Sequence, residues 1–118
     1  MTSIELSKNI VESLEEKKAF DIKVLKVKNL TVITDYFIIA TGSNVTQVKA
    51  LADEVEYNIS EKFGIKPQSV EGYNSSSWIL LDYGEVIVHI FYKDTRDFYS
   101  LERLWSDAEV IDLNKIKD

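Results

Sequence analysis

The chain contains a single histidine, His89, and the chemistry that it could support is limited by its neighbours. Asp82 and Glu85 lie close before it, and a metal site in a chain without cysteine would need an imidazole with several such carboxylates. Three residues of these types do not specify a metal site, and no G-x-S-x-G sequence supplies the serine of a Ser-His-Asp triad. We therefore predict no catalytic residue, no metal and no cofactor. We expect His89 to hydrogen-bond a neighbour such as Asp82.

A second candidate site is the pair Gly42-Ser43, which follows an apolar segment and precedes an amphipathic one. A helix that begins at such a place can receive phosphate, and the pair resembles the Gly-Ser of nucleotidyltransferases. Those enzymes also need a close pair of strand carboxylates to hold magnesium, whereas Gly84 stands two positions after Asp82. The simpler interpretation is a strand-to-helix turn capped by Ser43 or Asn44. A nucleotide-binding or nucleotidyltransferase-like enzyme that uses Gly42, Ser43 and Asp82 is the alternative.

Composition narrows the class of protein further. A chain of 118 residues with 45% hydrophobic residues suits one globular domain. Fourteen basic and twenty acidic residues give a net charge of −6, which opposes direct nucleic-acid binding and favours a basic protein surface as partner. The absence of cysteine excludes disulfides and thiol catalysis. With no signal peptide and no run of about 18 apolar residues, a cytoplasmic protein without a membrane partner is expected.

Hydrophobic periodicity predicts the elements that must position these residues. Helices are predicted over 2–18, with a capping box formed by Thr2 and Glu5, over 45–63, and over 95–105, capped by Asp94 or Thr95. Strands are predicted over 21–27, 34–42 and 69–74 and twice within 77–91. This order predicts a single α+β domain over 1–118, layered as in α/β proteins, with one mixed sheet and the helices on one face. Residues 109–118 are expected to form a short tail, which begins as a fraying edge strand.

The segment 77–91 is predicted to be a β-hairpin closed by a two-residue loop, Tyr83-Gly84. In this register Trp78 faces His89, Leu80 faces Ile87 and Asp82 faces Glu85. Alternation then produces one wholly apolar face, which we expect to lie under the helices: Ile79, Leu81, Val86, Val88 and Ile90.

The opposite face of the hairpin mixes aromatic, aliphatic and charged side chains: Trp78, Leu80, Asp82, Glu85, Ile87, His89 and Phe91. Such a surface is too polar to be buried without partners and too apolar to be an idle solvent face. We predict that it receives another protein, and Tyr36, on the neighbouring strand, is a weaker candidate for the same patch.

Two motif blocks resemble those of the ribosomal silencing factor (Iojap) family. The first is "TDYFIIATGSN", with Asp21-Ile22 at the expected distance before it. The second is "EGYNSSSWILLDYGEVIVHIF", followed by "TRDFYSLERLWSDA". The matching positions in the second block are Glu71-Gly72, Trp78, Asp82, Gly84, His89, Arg96, Tyr99, Leu101-Glu102 and Leu104-Trp105. The resemblance covers residues 4–108, nearly the whole chain.

The resemblance implies a non-enzymatic factor that binds the large ribosomal subunit through the fourteenth protein of that subunit. Such a factor occupies the face that meets the small subunit, blocks subunit joining sterically and so represses translation. A nucleotidyltransferase-like topology without the catalytic carboxylates is implied, and family members can form homodimers.

On this basis six residues of the mixed face have expected roles. Trp78 is the anchor, and Leu80 and Ile87 add apolar area. Asp82 and Glu85 meet basic groups of the ribosomal protein, while His89 orients Asp82 or completes the polar contact.

Overall fold

The computed structural model describes residues 2–112, with the exception of the Phe98 side chain. Residues 113–118, the end of the predicted tail, lie outside the described residues. The helices are α1 (Ser3–Glu16), α2 (Val45–Phe63), α3 (Lys93–Tyr99) and α4 (Leu101–Leu104). The strands are β1 (Phe20–Lys26), β2 (Tyr36–Gly42), β3 (Ser69–Glu71), β4 (Trp78–Asp82), β5 (Val86–Tyr92) and β6 (Glu109–Val110).

The six strands form one mixed sheet in the order β3-β4-β5-β2-β1-β6. Only the central pair, β2 and β5, is parallel, and the other neighbours are antiparallel. The predicted α+β fold with a single mixed sheet is therefore confirmed. The predicted edge strand at the start of the tail is β6, which pairs with the last residues of β1.

The two long helices cover one face of the sheet, and their ends follow from local sequence. Thr2 caps α1 in the predicted capping box, in which the Thr2 hydroxyl accepts from Glu5 N at 3.1 Å. Asn44 caps α2 by accepting from Gln47 N at 2.8 Å, and Gly64 ends that helix with a φ of 68°. The apolar sides of both helices pack on the apolar face of the hairpin, whose five residues are fully buried.

The hairpin differs from the prediction in its register. Its loop is Gly84-Glu85, and Tyr83 N donates to Val86 O at 2.9 Å. The pairing is consequently shifted by two residues, so that Leu80 lies opposite His89 and not opposite Ile87. Tyr83 stays out of the loop because its side chain is buried in the helix-side core, while the φ of 87° at Gly84 suits glycine at the first loop position. A shift by an even number leaves each side chain on its predicted face.

The C-terminal segment also differs from the prediction, because it covers the other face of the sheet. The predicted single helix over 95–105 is divided at Ser100, whose φ of 46° ends α3 before α4 begins. Tyr92, not Asp94 or Thr95, is the N-cap of α3, and it makes no side-chain capping bond. Only the two long helices therefore lie on the predicted face. The other face needs cover because it carries its own apolar cluster, against which Leu101 and Trp105 pack.

Candidate functional site: a partly covered aromatic sheet face

Three of the predicted interface residues form a partly exposed strip along β4. Trp78, Leu80 and Asp82 occupy alternate positions of the strand, so they project from the same face, away from α1 and α2. We call these three residues the docking strip. Glu85 is exposed in the hairpin loop at one end of the strip. Ile87 and His89 lie on neighbouring β5, where they are only 7% and 5% exposed.

Trp78 is held in place by aromatic contacts on two sides. Its ring stacks on Phe91, with centroids 5.0 Å apart, and the ring of Tyr99 lies at 4.8 Å. Its indole Nε1 donates a hydrogen bond to His89 Nδ1 at 3.1 Å. An aromatic side chain fixed in this way loses little conformational freedom when a partner covers its exposed part.

His89 supports Trp78 and makes no hydrogen bond to Asp82, which corrects the sequence-based expectation. Since Nδ1 accepts from the indole, the neutral ring carries its proton on Nε2. Burial lowers the pKa of His89 from 6.5 to about 4, so the ring is neutral at physiological pH. No group of the described part of the chain accepts a hydrogen bond from the buried Nε2. His89 therefore lies beneath the strip, and its ring is perpendicular to that of Phe37, with the two centroids 5.0 Å apart.

Asp82 has a structural role in addition to its place in the strip. Its Oδ1 accepts from Gly84 N at 2.8 Å, which is an Asx-type contact that fixes the hairpin loop. Asp82 remains partly exposed, and together with Glu85 it gives this end of the strip an acidic character.

Tyr36 does not belong to this surface. It lies opposite Val86, so its side chain projects towards the helices, and it is 7% exposed within the helix-side core. The sequence-based assignment failed because the alternation along a fully buried strand such as β2 does not show which side chains share a face with Trp78.

The residues of the alternative nucleotide site do not come together. Gly42 pairs with Tyr92 and Asp82 with Ile87, so they lie five residues apart along β5, which corresponds to roughly 16 Å. A Cβ atom at Gly42 would lie 2.9 Å from Val48 Cγ2, which shows that glycine permits the close approach of α2.

The backbone around Ser43 is also engaged locally. Ser43 N donates to Gln47 Oε1 at 2.6 Å, and Asn44, as described above, caps the helix. These contacts support the simpler interpretation of a capped strand-to-helix turn, and they leave the nucleotide alternative without a convergent set of groups.

A buried arginine attaches the C-terminal helices to the far end of the sheet. Arg96 is 6% exposed and donates to Thr41 Oγ1 at 2.6 Å, to Asp21 O and to Glu102 Oε2 at 3.1 Å. Burial alone would raise the pKa of Glu102, but the hydrogen bond and charge of Arg96 outweigh it and hold this pKa below its usual value. This clamp helps to keep Tyr99 beside Trp78.

Sequence reasoning missed the role of Tyr99 and one group of residues near the strip. Tyr99 contacts Trp78 beside Phe91, which the sequence already places on the mixed face, and the place of Tyr99 became evident only when the C-terminal helices were located. The missed group is Leu30, Val32 and Ile33, which are exposed in the loop between β1 and β2. The sequence did offer a signal for this group, because residues 30–33 are mostly apolar but belong to neither β1 nor β2.

Across residues 2–112 no cluster of three histidine or acidic side chains could hold a metal ion. None of the helices within that range is long and apolar enough to span a membrane. The fold and this surface thus define a small single-sheet α+β protein with a partly exposed strip that contains one well-supported tryptophan.

Comparisons with known proteins identify the family. The profile of the family described as "Ribosomal silencing factor during starvation" matches residues 1–118. "Ribosomal silencing factor RsfS" of Halalkalibacterium halodurans is 37% identical over 116 residues, which cover 98% of each chain. A crystal structure of a Chromobacterium violaceum protein superposes with a TM-score of 0.86 at 40% identity, covering 90% of this chain and 88% of the other. The chain belongs to the ribosomal silencing factor family.

One more distant relative carries a name that mentions the large ribosomal subunit. "Mitochondrial assembly of ribosomal large subunit protein 1" of Mus musculus is 30% identical over 102 residues, which cover 82% of this chain and 43% of the relative.

Proposed function

We propose that this protein binds the large ribosomal subunit through the fourteenth protein of that subunit and sterically blocks joining with the small subunit. Membership of the ribosomal silencing factor family supports a role in repressing translation. The name of the mouse relative connects the family with the large subunit. The protein would act without a cofactor and without catalysis, in the cytoplasm.

The docking assignment rests mainly on the geometry of the docking strip. Trp78, Leu80 and Asp82 project from one face, and Trp78 is fixed by ring contacts and by its hydrogen bond to His89. A rigid, partly exposed tryptophan beside aliphatic side chains is typical of residues that dominate the affinity of protein interfaces. The net charge of −6 and the nearby Glu85 favour a basic partner surface and oppose a direct contact with ribosomal RNA.

Within this proposal the buried residues have indirect roles. Ile87 and His89 are buried beneath the strip. They support Trp78 and Leu80 from below, so that these two side chains stay accessible to a partner. The protein could also form a homodimer, as the family resemblance implies, and a dimer that uses the strip would compete with the ribosome.

The test is co-sedimentation with separated ribosomal subunits, followed by titration of the purified fourteenth protein of the large subunit. We expect the protein to sediment with large subunits but not with small ones, and to bind the isolated ribosomal protein in a one-to-one complex. Leu80→Lys should abolish both, since a charge replaces apolar contact area while the aliphatic stem still packs on the residues beneath the strip. Tyr57→Lys, at a 64% exposed position on α2, is the matched control. Binding to small subunits, or unchanged binding by Leu80→Lys, would contradict the proposal.

A further inference from the structure

The loop between β1 and β2 exposes three large apolar side chains within four residues. Leu30 is 47% exposed, Ile33 is 69% exposed and Val32 is 104% exposed, which means that the fold covers essentially none of the Val32 side chain. Single exposed apolar residues are common on protein surfaces, but a contiguous group of them indicates a place where another molecule binds.

This loop is held by hydrogen bonds, although its apolar side chains are not. Val27 N and Lys28 N donate to Asp35 O at 2.9 and 3.1 Å, and Thr31 N donates to Val27 O at 3.0 Å. Thr31 Oγ1 in turn accepts from Ile33 N at 3.2 Å. A loop whose backbone is already ordered has less entropy to lose on binding than a free one.

The same loop is attached to the hairpin that carries the docking strip. Asp35 N and Tyr36 N both donate to Glu85 O, at 2.9 and 3.2 Å. Since Glu85 lies in the hairpin loop just beyond Asp82, the apolar loop and the strip meet at the same end of the sheet. Because β5 lies between β4 and β2, a partner on the strip reaches the β1–β2 loop by extending across the end of β5.

The charges around this loop select the kind of partner. Lys28 is the only basic residue between positions 28 and 34, whereas Asp35 and Glu85 stand at the base of the loop. Phosphate-rich surfaces, whether nucleic acid or anionic membrane, are disfavoured by these carboxylates and by the net charge of −6. A protein with an apolar recess and a basic rim is complementary to both features.

We propose that the β1–β2 loop is a second contact with the ribosomal protein that receives the docking strip, and that Val32 and Ile33 enter an apolar recess on it. This inference rests on the proposed function and adds a second, separate part to the interface. The strip supplies the aromatic anchor, and the loop extends the apolar contact beyond the acidic end of the hairpin.

Site-directed cross-linking tests the location of the loop on the partner. The chain has no cysteine, so Val32→Cys and Glu85→Cys each provide one attachment point for a benzophenone label. Glu85 is exposed at the end of the docking strip, so a label there leaves the three residues of the strip unchanged. Both labels are expected to cross-link the same protein in purified large subunits. Tyr57→Cys, at a 64% exposed position on α2, should give no cross-link. A Val32 label that reaches ribosomal RNA, a different protein or nothing, while the Glu85 label captures the ribosomal protein, would overturn the inference but not the proposed function.

Affinity for large subunits provides a second test. The double variant Val32→Ser, Ile33→Ser should bind between about tenfold and a hundredfold more weakly, because two apolar side chains lose their buried contact. Its melting temperature should equal that of the wild-type protein, since both side chains project into solvent. Val45→Ser should bind normally. Wild-type affinity of the double variant, or a lowered melting temperature that shows packing within the fold, would contradict the inference. If the wild-type protein itself fails to bind large subunits, the proposed function falls and this inference falls with it.

Discussion

The hydrogen bond between His89 and Trp78 makes the stability of the protein depend on pH in a way that a single substitution can isolate. His89 is the only histidine in the chain, and it is buried in its neutral form with Nδ1 accepting from the indole. Protonation would remove that acceptor and place a charge among aromatic rings. In the unfolded chain the same imidazole is solvated and takes up a proton readily.

The size of the effect follows from the two pKa values. Burial lowers the pKa of His89 in the folded protein from 6.5 to about 4, so protonation favours the unfolded state. The stability that neutral His89 provides is complete above the unfolded pKa and is lost as the pH falls from 6.5 towards 4. The whole shift corresponds to about 3 kcal/mol, of which about 2 kcal/mol disappears between pH 7 and pH 5.

The assay is urea unfolding at a series of pH values, followed by far-ultraviolet circular dichroism. His89→Asn is the matched variant, because its Oδ1 can replace Nδ1 as the acceptor for Trp78 and it does not titrate. We expect the variant to be less stable at pH 7, since its smaller side chain leaves space beside Phe37. The carboxylates titrate in both proteins, so the difference in their unfolding free energy isolates His89.

The expected result is a difference that shrinks by about 2 kcal/mol between pH 7 and pH 5. A difference that stays constant over this range would show that His89 has an ordinary pKa, and hence that it is not the buried neutral support of Trp78. A difference that grows as the pH falls would mean that the folded protein stabilises the protonated ring.

Four further substitutions test the assignment of the two faces. Ile79→Asp or Val88→Asp should prevent a cooperative thermal unfolding transition measured by circular dichroism. An unpaired buried charge costs several kcal/mol against a total stability of about 5–15 kcal/mol. A transition close to that of the wild-type protein would refute the core assignment. Trp78→Ala should abolish binding to large subunits. It should also lower the free energy of unfolding by about 2–4 kcal/mol, because Phe91 and His89 lose their contacts with the indole. Unchanged stability in urea would refute the aromatic support of Trp78. Asp82→Asn should fold normally, since an amide oxygen can still accept from Gly84 N. It should bind large subunits more slowly at low salt, because the steering charge is removed. Equal association rates for Asp82→Asn and wild type in stopped-flow measurements would exclude a steering role.

Local sequence signals predicted most of the fold. Capping residues, periodicity and the break at Gly42-Ser43 placed the ends of α1, β2 and α2 to within about two residues. These signals are reliable because each depends only on residues that are close together in sequence. The separation of the hairpin faces was also correct. It survived an error of two residues in register, since only an odd shift exchanges the faces.

The rest depended on contacts between distant parts of the chain. The helix break at Ser100 and the packing of Trp105 on Phe37 follow from the need to cover the second sheet face, which local patterns do not report. For the same reason local patterns pair His89 with Asp82 instead of Trp78, and they overestimate how much of this surface is exposed. The docking strip is what remains accessible after α3 and α4 have covered their part of that face.

Subunit joining, followed by light scattering with purified large and small ribosomal subunits, tests the central claim most directly. We predict that the wild-type protein, added to large subunits first, prevents the increase in scattering, that Tyr57→Lys does so equally, and that Leu80→Lys allows joining to proceed. Normal joining in the presence of saturating wild-type protein would contradict the proposed function. Inhibition by Leu80→Lys equal to that by wild type would contradict the assignment of the docking strip.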